Sequence, residues 1–313
     1  MAHIVLSGEE VLAYNDRISM MIPFSTGVTC SLPAEDLSKI LNGISDDTFT
    51  IEVEENKATL ISENTTAELS TEVDSRIVED YFAAINFDDM DWQGVPENFL
   101  DQLALARFSV SSNAMDSNNL HCVYVNGKTM CSGDGHRLSR LSLGTPMDEV
   151  LIPGTAISDI LSFKDFDQYA ISNGWIHLEN PEGIIVSCRT ILGEYPNFSP
   201  IFEQFEEKSK VQVESSLIPV LQNLTSLVAG DSDFMKAVTI DMKKGTTVLT
   251  GTKEGLKIEK KATNNYKGSP VSFMISPAFL AHILTMTEEL SIGETSALFE
   301  SDTFSHIVQL PLR

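Results

Sequence analysis

The sequence predicts an α+β protein made of one domain type repeated three times, with helices on one face of antiparallel sheets. Two recurring patterns carry this reading. One is a proline-led apolar helix followed by alternating strands, and the other is a short apolar tetrapeptide ending in glycine.

The helix pattern occurs at Leu32–Leu41, Ile152–Leu161 and Ile275–Leu284, starting 120 and 123 residues apart. Each has an apolar residue, an early proline (Pro33, Pro153, Pro277), and apolar positions five, eight and nine residues on. Proline is tolerated at a helix start because its missing N–H has no partner there, and the spacing makes one buried stripe. The third copy places its proline one position later. After each helix comes a period-two run, with turns expected at Glu55-Asn56, Asn173-Gly174 and Asn180–Gly183.

The tetrapeptides are Val5–Gly8, Met130–Gly133 and Val248–Gly251, spaced 125 and 118 residues. Helices are expected ahead of the second and third, over 96–108 and 215–228, whereas only four residues precede the first. The first copy is therefore expected to lack its leading helix and strands. The expected domains are 1–91 (partial), 92–204 and 205–313.

Composition limits the function classes. The 313 residues carry a net charge of −24, with 42% hydrophobic content and 21% charged residues, as in a folded globular protein. The acidity is uneven: residues 1–204 hold 10 Lys+Arg against 32 Asp+Glu, and residues 205–313 hold 11 against 13. Side-on DNA binding, which needs many cations on phosphates, is disfavoured. No signal peptide or membrane span is expected, so the chain reads as soluble and cytoplasmic. Cys30, Cys122, Cys131 and Cys188 lack metal or disulfide spacing, so no cofactor and no metal is expected.

Gly133-Asp134-Gly135-His136-Arg137-Leu138, Gly193–Phe198 and the ending Val308–Arg313, in this order on a triplicate frame, resemble the bacterial β sliding clamp of DNA polymerase III. The resemblance implies triplicated clamp domains with the first truncated, in a closed ring. Helices line its pore and antiparallel sheets lie outside. Duplex DNA would pass through without sequence reading, and a shortened form would suit a bacteriophage. The ring would be a homo-oligomer, a dimer before a trimer.

It also implies that DNA polymerase and clamp-loader peptides enter an apolar pocket. Carried over by motif, that pocket uses Gly133, Gly135, His136, Arg137, Leu138, Pro196, Pro200, Ile201, Val308, Leu310, Pro311 and Leu312. Arg137 is expected to orient a polar or carboxylate group. The DNA-facing candidates are Lys39, Arg107, Lys164 and His282. Glu35 and Asn42 stand where bacterial clamps often carry arginine. The subunit contact would set Leu227 and Val228 against Ala67 and Leu69 of a neighbour.

On residue chemistry alone, Asp134-Gly135 reads equally as a hairpin turn, and Leu310 and Leu312 as strand core. Two other functions stand beside the clamp. One is a clamp-derived interaction hub that does not encircle DNA. The remoter one is a hydrolase using Asp134, His136 and Cys131, although strand neighbours point to opposite faces.

Overall fold

Each copy contains the expected helix and the strand meander after it. A computed structural model describes residues 3–15, 17–46, 48–71, 85, 87, 90–113, 118–228, 230 and 232–311. In copy one, four strands lead in: β1 (His3–Ser7), β2 (Glu10–Tyr14), β3 (Ile18–Pro23) and β4 (Thr29–Pro33). Helix α1 (Ala34–Gly43) follows, then β5 (Thr50–Glu54), β6 (Lys57–Ile61) and β7 (Thr66–Ser70).

Copy two begins with β8 (Gln93–Gly94) and α2 (Phe99–Ala106). It continues through β9 (Cys122–Gly133), β10 (Arg137–Pro153), the short α3 (Ile157–Ile160), β11 (Gln168–Ser172), β12 (Trp175–Glu179) and β13 (Ile185–Arg189). Copy three has α4 (Ser199–Glu203), β14 (Ser209–Gln212), α5 (Ile218–Leu227), β15 (Val238–Lys243), β16 (Thr246–Lys253), β17 (Leu256–Ala262) and β18 (Val271–Ile275). It ends with α6 (Pro277–Ile283), β19 (Glu289–Ile292), β20 (Ser296–Glu300) and β21 (Phe304–Gln309).

The repeated helix forms for the reasons its sequence suggests. Pro277 opens α6, and the Ser276 hydroxyl accepts from the Phe279 N–H at 3.4 Å, a weak side-chain cap. Leu37 is the buried residue of α1, packed on Leu6, Leu32, Leu60 and Leu69. Removing one such side chain from water contributes about 1.5–3 kcal/mol. The expected turns are present, and Glu55 and Asn173 both take positive φ, +48° and +49°.

One expectation changes. β1 pairs with β2 and β4, and β15 pairs with β16 and β18, so β1 corresponds to β15. The hairpin glycines that follow them, Gly8 and Gly245, have φ of +99° and +76°; Gly127 inside β9 has +57°. The tetrapeptide Val5–Gly8 thus lies one strand earlier than Val248–Gly251, because a period-two pattern looks alike in adjacent strands. Copy one holds all four leading strands. Copies two and three add one short strand and one helix ahead of theirs, β8 with α2 and β14 with α5.

By compactness the chain forms two units. Unit 1 comprises Met1–Ala104, Tyr124–Lys128 and Gly144–Gly193; unit 2 comprises Leu105–Val123, Thr129–Leu143 and Glu194–Arg313. Copy two is divided between them because its strands pair with those of its neighbours in sequence. In unit 1 an eight-stranded sheet runs β4-β1-β2-β3-β13-β12-β11-β8, beside the three-stranded β5-β6-β7. Its core includes Leu12, Trp175 and Ile85.

In unit 2 the pairing β14-β19-β20-β21 continues onto β10, and β17-β16-β15-β18 forms a second sheet. Its core gathers Leu221, Leu224, Ile240, Phe279, Phe299 and Val308. Gly251 lets the end of α5 lie on β16, since a Cβ there would stand 2.6 Å from a Val228 methyl carbon.

The same strand joint occurs once in each unit. In unit 1, Ser19 faces Ser187 and Ile18 faces Cys188; in unit 2, Ser139 faces His306 and Leu138 faces Ile307. The turns leading into the joints match: the Asn15 N–H donates to the Ile18 carbonyl as the Asp134 N–H does to that of Arg137, so Ile18 and Arg137 hold the same place, and Arg17 matches His136.

Candidate functional site

Asp134 organises the turn between β9 and β10. Its Oδ1 accepts from the backbone N–H groups of His136 (3.0 Å) and Arg137 (3.2 Å), and its Oδ2 accepts from Arg137 Nε at 2.8 Å. Gly135 takes φ +89°, which a side chain would strain. Gly133 has Leu138 so close that a Cβ would lie 2.5 Å from its Cδ2. The motif is a hairpin turn, and it also shapes one wall of a cavity.

That cavity, of about 330 Å3, lies within unit 2 and is lined by Gly135, His136, Arg137, Leu138, Phe198, Ile201, Thr295, Ser296, Ile307 and Gln309. Its edges are tied: the Gln309 N–H donates to the His136 carbonyl at 2.8 Å, and His136 Nδ1 meets Gln309 Oε1 at 3.1 Å. The His136 ring lies flat on Phe234, 3.9 Å between centroids. Such an apolar-walled hollow with few polar edges suits a short apolar ligand.

Five of the expected pocket residues line it, and others do not. Val308 and Leu310 are buried in the core of unit 2, while their neighbours Ile307 and Gln309 line the cavity. β21 is apolar on both faces around these positions, so its sequence leaves the parity open. Gly133 supports from beneath, and Pro196, Pro200 and Pro311 are absent from the lining. Leu312 lies outside the described residues. Phe198, Thr295, Ser296, Ile307 and Gln309 were missed. For Phe198 the signal was present, because it closes the Gly193–Phe198 motif.

Arg137, expected to orient a ligand carboxylate, is engaged within unit 2. Its side chain is 13% exposed and ion-paired to Asp134. Its Cζ stands 4.1 Å from the Phe108 ring centre and 3.9 Å from that of Phe279, a double cation–π contact. His282 stacks on the far side of Phe108 at 3.9 Å. Burial lowers the Arg137 pKa, and the Asp134 charge acts against that shift. Burial, then the nearby Arg137 charge, lowers the His282 pKa. Beneath them His306 Nδ1 lies 2.9 Å from Ser139 Oγ, which meets Ser109 Oγ at 2.7 Å. Burial pushes His306 down to about 3.

The remaining candidates separate. Lys39 is exposed and held by Glu35 at 2.6 Å one helical turn away, and Arg107 and Lys164 are exposed. The lowered pKa of His282 favours its neutral form. Ala67 and Leu69 lie on β7, which pairs only with β6 among the described residues. Val228 is buried in its own core at 4% exposed, and Leu227 is half-buried.

The hydrolase trio does not assemble. Asp134 is committed to Arg137 and its own turn, and His136 to Phe234 and Gln309. Burial pushes the Cys131 thiol up to about 11, so it is no nucleophile at neutral pH. Among the described residues no group of three or more His, Cys, Asp or Glu could hold a metal ion, and no helix is long and apolar enough to cross a membrane.

A repeated helix-and-meander domain whose strands join copy to copy is the DNA sliding-clamp fold. Solved structures that share it span this whole chain. The DNA polymerase sliding clamp of Bacillus subtilis matches with a TM-score of 0.82 at 16% identity, covering 100% of this chain and 91% of that one. A sliding clamp (DNA polymerase III subunit β) from Pseudomonas aeruginosa bound to griselimycin gives 0.81 at 17%, covering 100% and 91%. A Helicobacter pylori β clamp bound to a DNA ligase peptide gives 0.79 at 13%, covering 100% and 92%. No protein-family model and no curated protein sequence matches the chain.

Proposed function

We propose that this chain is a sliding clamp: a non-enzymatic ring that encircles duplex DNA and tethers replication proteins through the unit 2 cavity. The observation that carries the ring is the repeated joint. The last strand of one copy pairs with the third strand of the copy before it, as β13 on β3 and β21 on β10. One strand of each kind is left over, β7 and β17, and each is a sheet edge among the described residues. Open edges invite pairing with another chain. β7 of one chain against β17 of a second closes the series head to tail, with a dimer favoured over a trimer.

The register follows from the existing joints. Leu69 on β7 matches Cys188 on β13, through the pairs Ala58·Leu69 and Ile176·Cys188. Cys188 faces Ile18 and Val186 faces Met20. The pairs Ile4·Leu32 and Val238·Ile275 equate Ile4 with Val238, so Ala13·Met20 matches Gly251·Ile258, and Ile18 matches Leu256. Leu69 therefore faces Leu256 across the subunit boundary, Ala67 faces Ile258, and Glu68 faces Lys257. This replaces Leu227 and Val228 as the copy-three side of the contact.

An acidic protein can hold DNA this way because a ring retains it by topology, with only weak phosphate contact. The cavity reading rests on its apolar lining and on the ligase peptide bound to the Helicobacter pylori clamp. The hub reading draws on the sparse cations, with Lys39 tied to Glu35. A double variant, Ala67→Cys with Ile258→Cys, tests closure. Mild oxidation is expected to give covalently linked chains that neither single variant gives. Equal cross-linking in singles and double would remove the proposed joint.

A further inference from the structure

Resting on the peptide-pocket reading, we infer that the cavity selects apolar peptides flanked by lysine or arginine rather than by acidic residues. Its walls at Leu138, Ile201 and Ile307 take the apolar anchor. The guanidinium in its lining is already spent, since Arg137 is ion-paired to Asp134 and closed between two rings. It therefore offers little to a carboxylate on the incoming peptide.

The border is acidic. Past Ile201, the exposed Glu203, Glu206 and Glu207 follow one another. This segment runs against the β19–β20 turn, where a Cβ on Gly293 would stand 3.2 Å from the Glu206 carbonyl oxygen. The same turn carries Thr295 and Ser296 into the cavity lining. The neighbouring cations are already engaged: Lys208 reaches Glu294 at 2.8 Å, and Arg140 lies 4.3 Å over the Phe202 ring. A border of this sign attracts basic flanks and repels acidic ones.

Two fluorescent peptide pools test this on the full chain. Each has three central positions randomised over Leu, Ile, Met and Phe; one is flanked by lysines, the other by glutamates. At low salt the lysine pool should bind about tenfold tighter, with the gap closing at high salt and in a Glu203→Gln/Glu206→Gln/Glu207→Gln variant. Equal binding, or tighter binding of the glutamate pool, overturns this inference and leaves the pocket reading standing. Binding of neither pool overturns both.

Discussion

Ile18 and Arg137 occupy the same place in the same strand joint, with Arg17 one residue earlier, and the surroundings of the two arginines differ. Arg17 is exposed, and its carbonyl accepts from the Arg189 N–H at 2.8 Å. Arg137 is shut between Phe108 and Phe279 and salt-bridged to Asp134. The joint itself therefore does not require a buried arginine. What buries Arg137 is the aromatic cluster of unit 2, and that cluster lies beside the cavity.

The two joints share one liability, a buried histidine. His177 Nδ1 lies 2.7 Å from Ser187 Oγ in unit 1, and His306 meets Ser139 in unit 2. Burial lowers their pKa values to about 4 and about 3. The unfolded chain, with histidine near its ordinary value of about 6.5, takes up these protons first as pH falls. Stability is therefore level above about pH 7 and declines below about 6.5 by about 1.4 kcal/mol per pH unit for each histidine. Denaturant titrations between pH 7 and 5 should show a combined loss of about 4 kcal/mol, spread over both units. A flat profile would mean that the joints are not sealed from water.

The arginine pair gives the smaller effects and sharpens the contrast. Arg137→Ala leaves Asp134 without its partner and empties the space between two rings, for an expected loss of about 3 kcal/mol. Arg17→Ala removes an exposed side chain and should cost under about 0.5 kcal/mol. Chemical denaturation of the two variants measures both. Equal losses would show that the contacts of Arg137 with Asp134 and the two rings add nothing to unit 2.

Much of the fold was legible in the sequence because its signals are local. Pro33, Pro153 and Pro277 mark helix starts, and Asn173-Gly174 marks a hairpin. The alignment of copy one was misread because Val5–Gly8 and Val248–Gly251 look alike while lying in different strands of the meander. Only pairing partners separate them. The DGHRL segment lies at the unit 2 cavity, but the sequence did not show that Arg137 is buried and ion-paired to Asp134. Its burial depends on Phe108 and Phe279, far away in sequence. Val308 and Leu310 failed for another reason: with apolar residues on both faces of β21, parity depends on what packs against each face.

Topological retention of DNA is the most direct test of the central claim. The Ala67→Cys/Ile258→Cys chain, oxidised in the presence of circular plasmid, should stay with the DNA through high-salt washing and be released when the plasmid is cut once. Stripping from intact circles by salt, or retention after linearisation, would contradict encirclement.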